Sequence, residues 1–143
     1  FTSNHDENSW AGTEFERMGD AAKIMAMLTF TLPNGQPLIY TGQEMGWNKR
    51  FEFFEKDHIP AWESNEYAAF YKELTTLRHN NPALAAGERG GKIEYIDTVP
   101  EGVFAFSRAV EGNKVTVYAN LTKEAVAFDN INLAAWGWYI ITE

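Results

Sequence analysis

The spacing of apolar residues changes once along this chain, close to Gly87, and that change limits what it can fold into. Before it, hydrophobic residues recur at three- and four-residue steps: Phe15, Met18, Ala22, Met25 and Leu28 in one stretch, Tyr67, Phe70, Tyr71, Leu74 and Leu77 in another. Both patterns lay an apolar stripe along a helix. After it the period is two, in runs at residues 92–98, 103–110, 115–121, 125–128 and 138–141. Glu101-Gly102, Glu111-Gly112-Asn113 and Asp129-Asn130 interrupt these runs, so they read as five short antiparallel strands joined by turns. A helical part is expected to give way to an all-β part at residues 84–91, where glycines replace the helical pattern.

The helical part has its own order. Its first helix should run from Glu14 to about Leu32 and stop at Pro33-Asn34-Gly35. The second half of that helix crowds Ile24, Met25, Met27, Leu28 and Phe30 together, so it needs cover on more than one side. Residues 37–41 (Pro-Leu-Ile-Tyr-Thr) form an apolar run of strand length before Gly42-Gln43-Glu44, as a buried parallel strand would. Residues 45–63 are irregular yet carry Trp47, Arg50, Phe51, Phe53, Phe54, Ile59 and Trp62, too aromatic a set for a solvated linker. Ser64 or Asn65 is placed to cap the next helix, which must end before Pro82.

Strand end, helix, strand, loop and helix are the order of consecutive βα units. The expectation is an α+β chain: the last two βα units of a (β/α)₈ TIM barrel over residues 1–86, then a small antiparallel sheet or β-sandwich over residues 87–143.

Composition removes several functions. Twenty acidic residues against twelve basic ones give a net charge of −8, with no basic run to neutralise phosphates, so nucleic acid is not a partner. With no Cys there is no disulfide, thiolate metal site or thiol nucleophile. No apolar stretch has membrane-spanning length. Phe1-Thr2-Ser3-Asn4 is neither a leader nor a natural start, so the chain is expected to be a piece of something longer; secreted, periplasmic and cytoplasmic settings all fit.

The chemistry-bearing residues sit at the front, in Phe1-Thr2-Ser3-Asn4-His5-Asp6-Glu7. This segment resembles the fourth signature region of the α-amylase family, glycoside hydrolase family 13, in which an aromatic residue precedes Asn-His-Asp. Further similarities follow in family order: residues 14–32 to the seventh barrel helix, 37–44 to the eighth strand, Phe54-Glu55-Lys56-Asp57 to a common loop, 67–84 to the eighth helix and its exit. The remainder is similar to the closing β domain.

The resemblance implies a parent enzyme that hydrolyses α-glucosidic bonds of starch or maltooligosaccharides with retention of configuration. Asp6 would be its transition-state stabiliser, and His5, with Asn4, a substrate-binding residue. Retaining glycosidases use a nucleophile and an acid/base carboxyl about 5–5.5 Å apart. In the family these two lie upstream of the fourth signature region, so the chain alone is expected to be inactive. Calcium, where the parent uses it, would also be held by upstream residues.

The residues leave other readings open. Asn4 and Asp6 suit turn or helix-capping chemistry. Trp10, Trp47 and Trp62 suit a core better than a sugar platform, with Trp47 the best exposed candidate. Glu44 either approaches substrate or fixes its loop through Arg50 or a backbone amide. Acidic residues at 52–57 form a solvated face or contribute to a calcium site. A non-catalytic scaffold with the family's fold, and a carbohydrate-binding or stabilising module, are the functional alternatives. Truncation of a barrel would also bare the first helix and the 37–40 edge, so that copies of the chain self-associate about a hinge at 84–91.

Overall fold

Alternation at residues 103–110 and 113–120 produces the longest ladder in the computed structural model, which describes residues 1–59, 62–63 and 65–143. Strands β2 (Val103–Val110) and β3 (Asn113–Asn120) pair antiparallel about Glu111-Gly112, where Gly112 takes the positive φ, 74°, that a tight hairpin needs. Strand β1 (Ile93–Tyr95) adds beside β2 and β6 (Trp138–Thr142) beside β3, giving the order β1-β2-β3-β6. Strands β4 (Val126–Phe128) and β5 (Ile131–Leu133) form a separate hairpin. β5 was not expected, because three residues are too few to reveal an alternation.

Successive side chains on a strand face opposite ways. Val115, Val117 and Ala119 of β3 therefore join the helices in one core cluster with Ile24, Met27, Phe30, Phe70, Leu74 and Leu84. Tyr118 points to the other face, its ring 5.9 Å from Phe128 of the small hairpin. The arrangement is a four-stranded sheet with helices on one face and a two-stranded hairpin on the other.

The helix expected from Glu14 onward is broken in two. Helix α1 (Glu14–Met18) is started by a capping box, Thr13 Oγ1 accepting the Glu16 N–H at 3.2 Å and Glu16 Oε2 accepting the Thr13 N–H at 2.8 Å. Gly19 ends it with a φ of 54°, a 3₁₀ turn (Gly19–Ala21) follows, and α2 (Ala22–Thr31) resumes. A glycine beside Asp20 makes that break cheap. Helix α3 (Glu66–Asn80) is capped by Asn65, whose side chain accepts the N–H groups of Tyr67 and Ala68; Ser64 lies outside the described residues.

Three further expectations are corrected. Residues 37–41 do not form a buried strand: the segment makes no ladder, Thr41 is already in a turn, and Leu38 and Ile39 are 47% and 36% exposed. No strand among the described residues runs beside it; instead Arg78 Nη2 donates to Gly35 O at 2.7 Å, and Gln43 Oε1 accepts the Tyr40 N–H at 3.0 Å. Helix α2 is not bare, since Ile24 and Met27 are fully buried between α3 and the sheet.

Residues 84–91 are no hinge. Leu84 is fully buried, and the Gly91 N–H donates to Ala83 O at 2.9 Å. The buried Arg108 of β2 donates to Gly91 O, Ala85 O and Thr31 O at 2.8, 2.8 and 3.0 Å, and to Leu32 O at 3.2 Å. One cation thus satisfies carbonyls at the end of α2 and in the connection to the sheet, where the last turn of a helix is electronegative.

Candidate functional site

Asn4 opens the segment by turning it. Its Oδ1 accepts the Glu7 N–H at 2.8 Å and its carbonyl accepts that of Asn8 at 2.9 Å, the local bonding that asparagine favours. Of the predicted site residues, Asn4 thus has its side-chain oxygen engaged in shaping the turn. A π-helical turn (Glu7–Ala11) continues from it. The bend leaves His5 and Asp6 side by side and open to solvent, side chains 66% and 62% exposed, with Nε2 3.6 Å from Oδ2. A donor and a carboxylate at that spacing suit neighbouring hydroxyls of one ligand.

The turn is held by polar pins rather than by a ladder. Asn8, buried, donates Nδ2–H to Lys49 O at 2.9 Å and accepts the Phe51 N–H at 2.7 Å. Ser9 Oγ donates to Phe51 O at 2.7 Å, and Thr13 Oγ1 to Asn48 Oδ1 at 2.5 Å. Arg17 donates to the carbonyls of Thr2 and Gly12, the latter at 3.0 Å, and pairs with Glu7 at 3.4 Å. Beneath the segment, Gln43 Nε2 donates to Thr2 Oγ1 at 2.6 Å. Burial, with the Glu14 charge second, pushes the Tyr71 hydroxyl well above its ordinary range. Burial likewise raises the Glu14 carboxyl.

Aromatic rings flank the pair. His5 stacks on Phe53 with centroids 5.7 Å apart, and Phe53 contacts Trp10 at 5.2 Å and Phe54 at 4.7 Å. Trp10 is 62% exposed and Phe54 81%, so the core placement expected for Trp10 is corrected. The inward side of its turn is taken by Asn8, whose two backbone bonds leave Trp10 facing out. The signal in the sequence was that Trp10 has no apolar partner at helical spacing.

Trp47 moves the other way. It is half-buried, its ring lying on Gly42 (φ 80°), where a Cβ would stand 2.1 Å from Cε3, and 5.1 Å from the Trp62 ring. Trp62 is itself exposed, against the core placement expected for it. Arg50 pairs with Glu16 at 2.8 Å, which lowers the Glu16 carboxyl, so Glu44 does not fix its loop through Arg50. Asp57 in the acidic stretch accepts from Lys49 Nζ at 2.5 Å and from the N–H groups of Glu52 and His58, at 3.0 and 2.6 Å. Among the described residues no three His, Cys, Asp or Glu side chains are grouped to hold a metal ion. No helix among them is long and apolar enough to cross a membrane.

No family model matches the chain. It is 32% identical over 126 residues to the α-amylase MalA of Haloarcula japonica, an alignment covering 87% of this chain and 18% of that protein. Its fold matches the α-amylase of H. orenii with a TM-score of 0.69 and 21% identity, over 96% of this chain and 38% of that one. The cyclic α-maltosyl-(1→6)-maltose hydrolase of Arthrobacter globiformis matches with a TM-score of 0.69 and 19% identity, over 90% of this chain and 31% of that one. The chain spans less than half the length of each of these relatives. It belongs to the α-amylase family of glycoside hydrolases and corresponds to the C-terminal region of such an enzyme.

Proposed function

We propose that this chain supplies the substrate-holding edge of a retaining α-glucoside hydrolase acting on starch or maltooligosaccharides, and does not itself cleave them. The observation that carries this is the exposed His5–Asp6 pair on one pinned turn. The Asp6 carboxylate binds sugar hydroxyls more tightly as the ring flattens toward an oxocarbenium ion, which lowers the barrier rather than merely holding substrate. His5 donates to a neighbouring hydroxyl in ground state and transition state alike. The nucleophilic Asp and acid/base Glu come from elsewhere in the enzyme, in a (β/α)₈ barrel of which residues 1–86 form the end and residues 87–143 the following β domain. Copies of the chain taken alone associate through the exposed, unpaired segment carrying Leu38 and Ile39.

The test is made in the full-length enzyme. Asp6→Asn should lower kcat by roughly a hundredfold or more with little change in KM, whereas His5→Ala should change both. Small and equal effects from the two would favour a scaffold role and overturn the proposal.

A further inference from the structure

His5 and Asp6 are fixed by little of their own. They touch each other at 3.6 Å, and His5 leans on Phe53, but both side chains stand mostly in solvent. Their positions are set by the backbone that carries them, and hence by whatever holds residues 2 and 7.

One side chain holds both. Arg17 sits in the last turn of α1, a helix whose start is locked by the Thr13–Glu16 capping box, so the guanidinium projects from a fixed base. Its Nη2 donates to Thr2 O, its Nε to Gly12 O at 3.0 Å, and its Nη1 pairs with Glu7 Oε2 at 3.4 Å. Thr2 and Glu7 bracket residues 3–6, and Gly12 closes the π-helical turn that follows. A planar fork with five donors reaches three such points at once; an ammonium does not. The Arg17 side chain is only 25% exposed, so water competes weakly for these bonds.

We propose that Arg17 is a positioning residue for the His5–Asp6 pair. By clamping the chain on both sides of it, Arg17 sets where the Asp6 carboxylate stands relative to a bound sugar ring, and so governs turnover more than affinity. This rests on the reading of Asp6 as the transition-state carboxylate.

The experiment is a set of variants in the full-length enzyme, with folding checked by thermal unfolding. A displacement of about 1 Å at a reacting centre costs on the order of a hundredfold, so Arg17→Met should lower kcat by about ten- to a hundredfold. KM should stay within about threefold, and Arg17→Lys should recover part of the loss. Because Arg17 acts through Asp6, adding Arg17→Met to Asp6→Asn should cost less than about threefold further.

A folded Arg17→Met enzyme with normal kcat, a rise in KM alone, or full additivity with Asp6→Asn would each overturn the proposal. If Arg17→Met does not fold, Arg17→Lys and Glu7→Gln carry the test, both expected to lower kcat without raising KM. An Asp6→Asn enzyme with unchanged kcat would instead defeat the underlying reading of the site. Loss in Asp6→Asn without loss in Arg17→Met would defeat the positioning role alone.

Discussion

The strands β2 and β3 and the segments at residues 1–12 and 35–51 are held in opposite ways. The strands bond to each other along their whole length, and the apolar face they share with α2 and α3 is buried. The other segments have no ladder. Asn8, Ser9, Thr13, Arg17 and Arg50 tie them together through side chains that reach across the turn or to partners more than thirty residues away. Periodic structure is made by many equivalent bonds and tolerates the loss of one. A pinned turn depends on each pin, which is what allows it to hold His5 and Asp6 in an exposed place where burial cannot fix them.

Arg108 is where the comparison breaks most sharply, since it is a buried cationic pin inside the ladder-built part. Its burial lowers its pKa, with Arg78 adding to the effect, and its guanidinium bonds four carbonyls from three stretches of chain. Arg108→Met keeps much of the volume but leaves those carbonyls unpaired, at a cost on the order of 3–5 kcal/mol. Urea unfolding should show the loss as a lower midpoint at unchanged slope. A change under about 1 kcal/mol would mean that water replaces the guanidinium, and that the helices and sheet are joined by packing alone.

Apolar contrasts come next. Met27 is fully buried against α3 and the sheet, whereas Leu38 stands 47% exposed on the unpaired segment. Met27→Ala should cost about 2–5 kcal/mol. Leu38→Ala should stay within about 0.5 kcal/mol in the same urea titration. Equal losses would show that residues 37–40 pack in solution as residues 24–30 do, and would erase the distinction.

Legibility in the sequence followed the same division. Val103–Val110 was readable to the residue, because the turn residues Glu101-Gly102 and Glu111-Gly112 bound the run on both sides, and Glu66–Asn80 nearly so from its stripe and cap. Residues 37–41 misled because an apolar run signals a strand only when neighbours are present to pair with it, and none of the described residues provides one. The break at Gly19 was visible as a glycine, yet the apolar spacing carried on through it. At the site, Asn4-His5-Asp6 was singled out by resemblance alone. The roles of Arg17 and Asn8 were not, because bonds from side chains to distant carbonyls leave no period in the sequence. The exposure of Trp10 and the covering of Trp47 depended on which side of a turn each fell, which residue type does not decide.

The smallest effect separates the two kinds of region by pH. Asp57 is pushed down from 3.8 to about 2, first by the Lys49 ammonium and then by the N–H groups of Glu52 and His58. A carboxyl with a depressed folded value stabilises the fold above its unfolded value and loses that contribution as pH falls through the folded one, here between about 4 and about 2. The loss should be local. Carbon-13 titration of the Asp57 carboxyl should give a midpoint near about 2, and Lys49→Met should raise it toward the ordinary range. Over the same span the amides of β2 and β3 should keep their hydrogen-exchange protection, since neither strand contains an Asp or Glu. If that protection falls in step with the Asp57 titration, the loop and the sheet open as one unit. The pinned loop would then be part of the same cooperative structure as the strands.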